Sequence, residues 1–285
     1  MRKIAIGLTS CTILLALVAG YVRKTEIDTV FDSVSGLTRL EPVTYILAAL
    51  SVFSALVIIF FTLKLRSCKP EPGFEKAFQI NTLFVPVISF ILFAMMVLAA
   101  FLYYDYIRKN MDIIIADGIL ALFAALSGIA FLTISINNYR RKCGAELPLC
   151  CFVIVIFICY WLIMTYKQKA ANPVLLDYVY DALALCSSAL AAYYVTGFCY
   201  NRGSLPKTLF FTNLSVYLCL IAVIGASPFP IKLFYVFTIV IMLLNSVTLL
   251  KNAVNGNTPG NPESAQADLA EPSEKPAADA NEEEP

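Results

Sequence analysis

Two aspartates are the side chains in this sequence best placed to do chemistry. Asp117 and Asp181 each stand within a long apolar run, and each follows another acid, Asp112 or Asp177, by four or five residues. A charged side chain at the centre of a bilayer costs about 2.5–3.5 kcal/mol on insertion scales, so both carboxylates should point toward neighbouring helices or a cavity. If their helices are neighbours, Asp117 and Asp181 would form a substrate-binding site for a cation, a proton or an amine.

A structural role for the same two acids is the alternative. Tyrosines crowd this level of the chain as they do in the aromatic belts at membrane surfaces, and their hydroxyls could hydrogen-bond both carboxylates. These tyrosines are Tyr103, Tyr104, Tyr106, Tyr178 and Tyr180. Both interpretations place the two aspartates near the same end of a helical bundle.

The apolar runs around these acids predict an all-α protein, a polytopic membrane bundle of about eight transmembrane helices. Of the 285 residues, 59% are hydrophobic and 14% are charged, whereas soluble domains carry about 25% charged residues. About 20 apolar residues span the hydrocarbon core of a bilayer, which makes lipid the first expected partner. The predicted helices 1 to 8 cover about residues 4–22, 43–63, 82–103, 113–135, 148–166, 178–198, 209–226 and 231–250.

The first predicted helix has two interpretations. Basic residues precede an apolar run that ends in small residues, which is typical of a cleaved signal peptide. The run is long and no clean Ala-x-Ala site follows it, which favours an uncleaved helix. The mixed-charge stretch 23–41 after it is interpreted as a loop.

Predicted helices 2, 4 and 6 share a pattern that suggests an internal repeat. Thr44, Asp117 and Asp181 are each followed by small residues at offsets of +7, +11 and +18, which lie on one helical face. The pattern predicts three related helical hairpins, helices 2–3, 4–5 and 6–7, and such internal symmetry is common in transporters. Coincidence is the other explanation, because small residues are abundant in packed membrane helices. The small residues are Ser51, Ala55 and Thr62, then Ala124, Gly128 and Ser135, then Ser188, Ala192 and Cys199.

Charge divides the chain into two predicted parts. Residues 1–255, the transmembrane domain, carry 20 basic and 12 acidic side chains, whereas residues 256–285 carry 1 and 8. The second part has too few large apolar residues to form a core, so we expect a disordered acidic tail, able to dock a protein partner. Of the 20 basic residues before the tail, twelve fall on the N-terminal side of the bundle and eight on the other. This bias predicts that both termini are cytoplasmic.

Several classes of function are disfavoured by what the sequence lacks. It contains no histidine, which removes His-based nucleophile activation and His metal ligands. No Walker A, G-x-S-x-G or H-E-x-x-H motif is present. None of the nine cysteines forms a C-x-x-C pair, and the basic loops are short and dispersed. We therefore predict a protein that is not an enzyme and has no metal, no cofactor and no nucleic-acid partner.

These features favour an integral membrane transport or transport-associated protein for a small solute, a multi-pass protein of the cell membrane. The alternatives are a non-catalytic membrane scaffold or assembly partner, which would contact other proteins through its helices or its tail, and a membrane sensor. A polar pocket shared by Asp117 and Asp181 would favour transport. A solid core with a large exposed face of small residues would favour the scaffold.

Overall fold

The computed structural model describes residues 2–30, 42–65, 73–80, 82–110, 115–141, 144–169, 175–225 and 227–255. This part of the chain is helical and contains no strand, which confirms the all-α fold class. A 3-10 turn, Gly197–Tyr200, extends α7. The helices are α1 (Arg2–Val30), α2 (Pro42–Lys64), α3 (Phe74–Ala77), α4 (Phe84–Asn110), α5 (Ile115–Arg140), α6 (Glu146–Lys169), α7 (Leu175–Thr196), α8 (Leu205–Ile224) and α9 (Phe229–Asn255).

Seven helices in the described part of the chain, α2 and α4 to α9, are long and apolar enough to cross a membrane. The 29-residue helix α1 carries charges in its last third and packs against α2 and α8. The prediction of about eight spans therefore agrees approximately with the structure. The protein is a multi-pass integral membrane protein whose outer surface contacts lipid.

The outer surface is apolar because it faces hydrocarbon. Helix α2 buries Leu47, Ser54 and Ile58 and exposes Phe53 and Phe60 on its other side. In water an exposed apolar face of this kind would mark an association surface. A helix that is apolar all round is instead what a membrane span requires.

Six helices of the bundle pack in a closed series. Each helix from α4 to α9 packs on the next, and α9 packs back on α4. Helix α1 lies against α8 and α9, and α2 lies outside on α1 and α8. Consecutive spans alternate in direction, so the starts of α5, α7 and α9 share one end of the bundle with the last turns of α4 and α6. We call this the carboxylate end, because it contains Asp117 and Asp181.

The proposed hairpin repeat is seen only in part in the helix packing. Predicted hairpins 4–5 and 6–7 correspond to α5–α6 and α7–α8, and both pairs pack closely. Predicted hairpin 2–3 would pair α2 with α4, but α2 packs on α1 and α8 while α4 packs on α5 and α9. Between them in the chain, the short helix α3 packs on α9 and on the 3-10 turn that follows α7.

Helix α1 continues through part of the stretch predicted to be a loop. Arg23 and Glu26 lie one turn apart and form an ion pair of 2.6 Å, with side chains 3% and 0% exposed. The Arg23 guanidinium lies 5.1 Å from the centre of the Tyr180 ring of α7. These charges suggested a solvated loop, but they are paired inside the bundle. The uncleaved-helix interpretation of the first apolar run stays a prediction.

Residues 73–80, which we call the plug, pack at the end of the bundle opposite the carboxylates, where their apolar side chains are buried and Glu75 and Lys76 are exposed. Phe74 and Phe78 stack at 4.6 Å, and Phe78 meets Phe198 edge-on at 5.3 Å. The Asn252 side chain of α9 donates hydrogen bonds to the backbone oxygens of Ala77 and Gln79, at 3.0 and 3.1 Å. The sequence suggested that residues 64–76 form a basic loop, and its aromatic end was not recognised as a buried element.

Candidate functional site

Asp117 lies in the first turn of α5, where a carboxylate is stabilised by the positive end of the helix dipole. Its side chain is 2% exposed, and its Oδ1 atom accepts hydrogen bonds from Tyr103 Oη of α4 and Gln168 Nε2 of α6, both at 3.0 Å. The Tyr160 hydroxyl of α6 bonds the backbone oxygen of Ala116 at 2.8 Å. Three consecutive helices are therefore joined at this acid.

Asp181 lies about one and a half turns into α7 and is 5% exposed. Its Oδ2 atom forms an ion pair of 2.5 Å with Lys169 Nζ, and its Oδ1 atom accepts a bond of 2.9 Å from Tyr235 Oη of α9. The Lys169 side chain is 26% exposed, so the ammonium reaches the acid from the edge of the bundle. The carboxylate charge is thus compensated inside the protein, as a buried charge requires.

The last turn of α6 connects the two carboxylates. Gln168 bonds Asp117, and the next residue, Lys169, bonds Asp181. A basic residue at the C-terminal end of a helix also interacts favourably with the helix dipole, which helps to hold this turn. Helix α6 packs on both α5 and α7, and its last turn bonds both acids.

Polar side chains continue from Asp181 into the bundle between α7 and α8. Ser188, seven residues further along α7, shares a hydrogen bond of 2.6 Å with Ser215 of α8 and contacts the Cys219 sulfur at 3.4 Å. Ser188, Ser215 and Cys219 are all fully buried. Ser188 belongs to the face of small residues that the repeat pattern identified in the sequence, whereas Ser215 and Cys219 of α8 were not part of that pattern.

Aromatic rings of α5, α6 and α9 pack against one another inside the bundle. Phe157 and Trp161 of α6 meet Phe234 of α9 edge-on, at 5.7 and 5.6 Å between ring centres. Phe131 of α5 meets Phe237 of α9 at 6.2 Å. We call these five residues the aromatic layer.

The structure brings the two predicted site residues to one end of the bundle but into separate bonding groups. The tyrosine contact of Asp117 matches the alternative that the sequence left open, since Tyr103 was among the tyrosines expected at that level. Gln168 and Lys169 were missed because they fall in the stretch predicted as the loop after helix 5. Tyr235 gave no local signal, because its role depends on α9 packing against α6 and α7.

Metal-binding side chains do not converge in the part of the chain that the structure describes. No group of three or more Cys, Asp and Glu residues there is placed to hold a metal ion. Cys151 and Cys199 approach to 3.7 Å between sulfur atoms. That pair is remote from the carboxylates, because Cys151 lies near the start of α6 and Gln168 near its end.

Comparison with known proteins gives no relative for this fold or this site. No protein-family model, no curated protein and no solved structure matches the chain. The functional argument therefore comes from the chain's own geometry.

Proposed function

We propose that this integral membrane protein transports, or assists the transport of, a small solute, and that Asp117 and Asp181 bind it. The observation that carries the proposal is the bonding of both buried carboxylates by consecutive residues of α6, Gln168 and Lys169. A solute that displaces one of these side chains acts on the turn that holds the other. Ionisable residues inside membrane spans are expensive, and they commonly mark solute or proton pathways.

Charge exchange at Asp181 gives this proposal a mechanism. A cationic solute or a proton takes the place of the Lys169 ammonium, and Lys169, already 26% exposed, moves outward to water. The carboxylate is compensated before and after the exchange, so no state leaves an unpaired charge buried in the bundle. The shift of the α6 end also weakens the Gln168 bond to Asp117, which couples the two acids.

Replacing Asp181 by asparagine is expected to lower solute-driven charge movement by about tenfold or more, because a charged contact contributes about 1.5–3 kcal/mol. The purified protein in liposomes would be measured on a solid-supported membrane. Steps of proton, sodium and methylammonium concentration serve as the probes. We expect at least one probe to give a saturable current that Asp181→Asn and Asp117→Asn both reduce.

The matched control is Asp105→Asn, at the exposed Lys109 ion pair of α4. This variant removes an acid at the same end of the bundle and should leave the current unchanged. Chromatography of each variant before reconstitution checks that it is folded. Absence of current with all three probes, or equal loss in the Asp105 variant, contradicts cation binding at these aspartates.

A non-catalytic assembly partner is the second candidate, and the tyrosine bonds favour it. Tyr103 and Tyr235 bond the two acids as a purely structural role requires. On this alternative, asparagine at position 117 or 181 lowers the melting temperature, and the wild-type protein gives no current. The two candidates therefore predict different results for Asp117→Asn and Asp181→Asn. Transport predicts a reduced current, and the assembly role predicts a lower melting temperature in a protein that carries no current.

We also propose that the protein resides in the cell membrane with both termini in the cytoplasm and with 256–285 as a disordered tail. The tail lies outside the described residues. A cysteine introduced at Ser273 should react with an impermeant maleimide only after permeabilisation of cells that express a cysteine-free background. A cysteine at Ser33, in the predicted exterior loop, should react in intact cells. The reverse pattern would overturn the orientation, and protection of Ser273→Cys after permeabilisation would argue against a disordered tail.

A further inference from the structure

Two cysteines from different elements meet at the end of the bundle opposite the carboxylates. Cys151 lies in the second turn of α6, and Cys199 lies in the 3-10 turn Gly197–Tyr200 that follows α7. Their sulfur atoms are 3.7 Å apart, although the two residues are 48 positions apart in the chain. Both are free thiols. The contact arises from the packing of α6 on the turn, so no C-x-x-C spacing indicates it in the sequence.

The surroundings of the pair leave it room to form a disulfide. A disulfide places its sulfur atoms about 2.0 Å apart, so the two atoms must approach by about 1.7 Å from their 3.7 Å contact. Cys151 and Thr196 line the same cavity of about 30 Å³, which gives the Cys151 side chain space to rotate. The 3-10 turn around Cys199 has poorer hydrogen-bond geometry than an α-helix, so its backbone yields more readily.

The two thiols differ in their access to water. Cys199 is half-buried, and Asn201 and Arg202, which follow the turn, are exposed. Cys151 is 4% exposed. Oxidation of a thiol follows its exposure, and redox-sensing cysteines commonly have a second cysteine beside them that completes the reaction. A small polar oxidant therefore meets Cys199 first, and Cys151 is its partner.

We propose that Cys151 and Cys199 are a modification site, at which hydrogen peroxide converts the two thiols into a reversible disulfide. Cys199, as its thiolate, attacks one peroxide oxygen; the oxygen–oxygen bond breaks, and hydroxide leaves and regains the thiol proton as water. Cys151 then attacks the sulfur of the resulting sulfenic acid. The sulfur–oxygen bond breaks, and the second hydroxide takes the Cys151 proton. Two thiols and one hydrogen peroxide thus give one disulfide and two waters.

The disulfide would join two helices that the candidate site already connects at their other ends. Lys169 of α6 bonds Asp181 of α7, whereas the new bond ties the start of α6 to the turn after α7. That turn also contacts the plug, where Phe198 meets Phe78 at 5.3 Å. Oxidation therefore restrains α6 against α7 at both ends of the bundle.

The proposed orientation gives this site its setting. With both termini in the cytoplasm, the cysteine pair lies at the cytoplasmic end of the bundle. Thiols in that compartment are kept reduced, and disulfides that form there are usually transient and redox-sensing. The resting state is therefore the dithiol, and the disulfide forms on exposure to peroxide.

Counting thiols by intact mass tests for the disulfide. A variant that keeps Cys150, Cys151 and Cys199, with the other six cysteines changed to alanine, is treated with hydrogen peroxide and then with N-ethylmaleimide. We expect the maleimide adducts to fall from three to one, and dithiothreitol before the maleimide to restore three. Peptide mapping should identify the bridge as Cys151–Cys199. Absence of that bridge in the folded protein would overturn the proposal.

Cys150 supplies the matched control. It is the neighbour of Cys151 on α6, but consecutive side chains of an α-helix point about 100° apart. Cys150→Ala should leave bridge formation unchanged. Cys151→Ala keeps Cys150 and Cys199 and should form a bridge at least about tenfold more slowly, because these groups are not positioned to react. Equal rates in the two variants would show that the sulfur contact does not direct the reaction.

The wild-type protein decides the question if the chain with six alanines does not fold. After peroxide treatment, peptide mapping should find the Cys151–Cys199 bridge at least about tenfold more abundant than any bridge from Cys150 to Cys199. Similar amounts of the two bridges would contradict a site formed by Cys151 and Cys199.

Trapping with dimedone, which reacts with sulfenic acids, tests the order of the two steps. In Cys151→Ala the sulfenic acid at Cys199 lacks its partner, so dimedone should modify it. In Cys199→Ala the modification of Cys151 should be about tenfold slower, since Cys151 is 4% exposed. Equal or faster modification of Cys151 would overturn the assignment of Cys199 as the first thiol to react.

The outcomes separate this inference from the proposed function. A reversible Cys151–Cys199 disulfide in a protein without solute-driven current would leave the inference standing and remove transport. A current that depends on Asp181, in a chain that forms no such bridge, would do the opposite.

Discussion

Replacing Glu26 by alanine is expected to lower the free energy of unfolding by about 3–5 kcal/mol, because it leaves the charge of Arg23 buried without its compensating carboxylate. Both side chains are almost fully buried and lie 2.6 Å apart. For a domain of this size, a loss of that magnitude lowers the melting temperature by about 10 °C or more. Thermal unfolding in detergent, followed by size-exclusion chromatography, measures the shift.

The double variant Arg23→Leu with Glu26→Leu separates the effect of the unpaired charge on stability from the effect of lost packing. Replacing both partners of a buried ion pair by apolar residues is often neutral or stabilising, so the double variant should melt close to the wild type. Lys109→Ala, at an ion pair whose side chains are 70% and 40% exposed, should cost no more than about 1 kcal/mol. If Glu26→Ala melts no lower than Lys109→Ala, the ion pair is not buried and α1 is not docked as the structure has it.

The same experiment bears on the first helix of the chain. Helix α1 also buries apolar side chains before the ion pair, namely Leu8, Ala16 and Ala19. Removal of this helix as a signal peptide would expose the matching surface of α8. A docked α1 therefore predicts that the mature protein retains its first residues, which intact-mass measurement would show.

Membrane spans were predictable because their signal is local. Twenty apolar residues in succession have few alternatives to a transmembrane helix, so predicted helices 2 and 8 lie within α2 and α9. The ends of helices were less predictable, since charged residues can end a helix or bond inside a bundle. Arg23 and Glu26, and likewise Gln168 and Lys169, were assigned to loops for this reason.

Of the residues that form the site, only the two aspartates could be predicted from the sequence. An aspartate in an apolar run is visible in the sequence, and a tyrosine partner for Asp117 was anticipated. Lys169 and Tyr235 became partners of Asp181 through the order in which helices pack, which no local pattern encodes. The plug was missed for a related reason, because Phe74 and Phe78 follow a stretch rich in charge and proline whose composition indicates a surface loop.

Replacing Gly128 by leucine is expected to destabilise the protein by about 1–3 kcal/mol, because the added side chain overpacks the contact between α5 and α4. A Cβ atom at position 128 would lie 3.0 Å from the Cβ of Met96 and 3.6 Å from the Cα of Phe93. Neither atom is the end of a flexible side chain, so the two helices must move apart. Thermal unfolding would report the loss.

Gly118 is the matched control on the same helix. An added Cβ at this position meets nothing within 4 Å, so Gly118→Leu should keep the contact between α4 and α5. Leucine is a better helix former than glycine, and the control should be neutral or more stable by up to about 1 kcal/mol. Equal melting of the two variants would contradict close packing at Gly128. A selective loss at Gly128 would show that the small-residue face of α5 sets the approach of α4, and with it the distance at which Tyr103 meets Asp117.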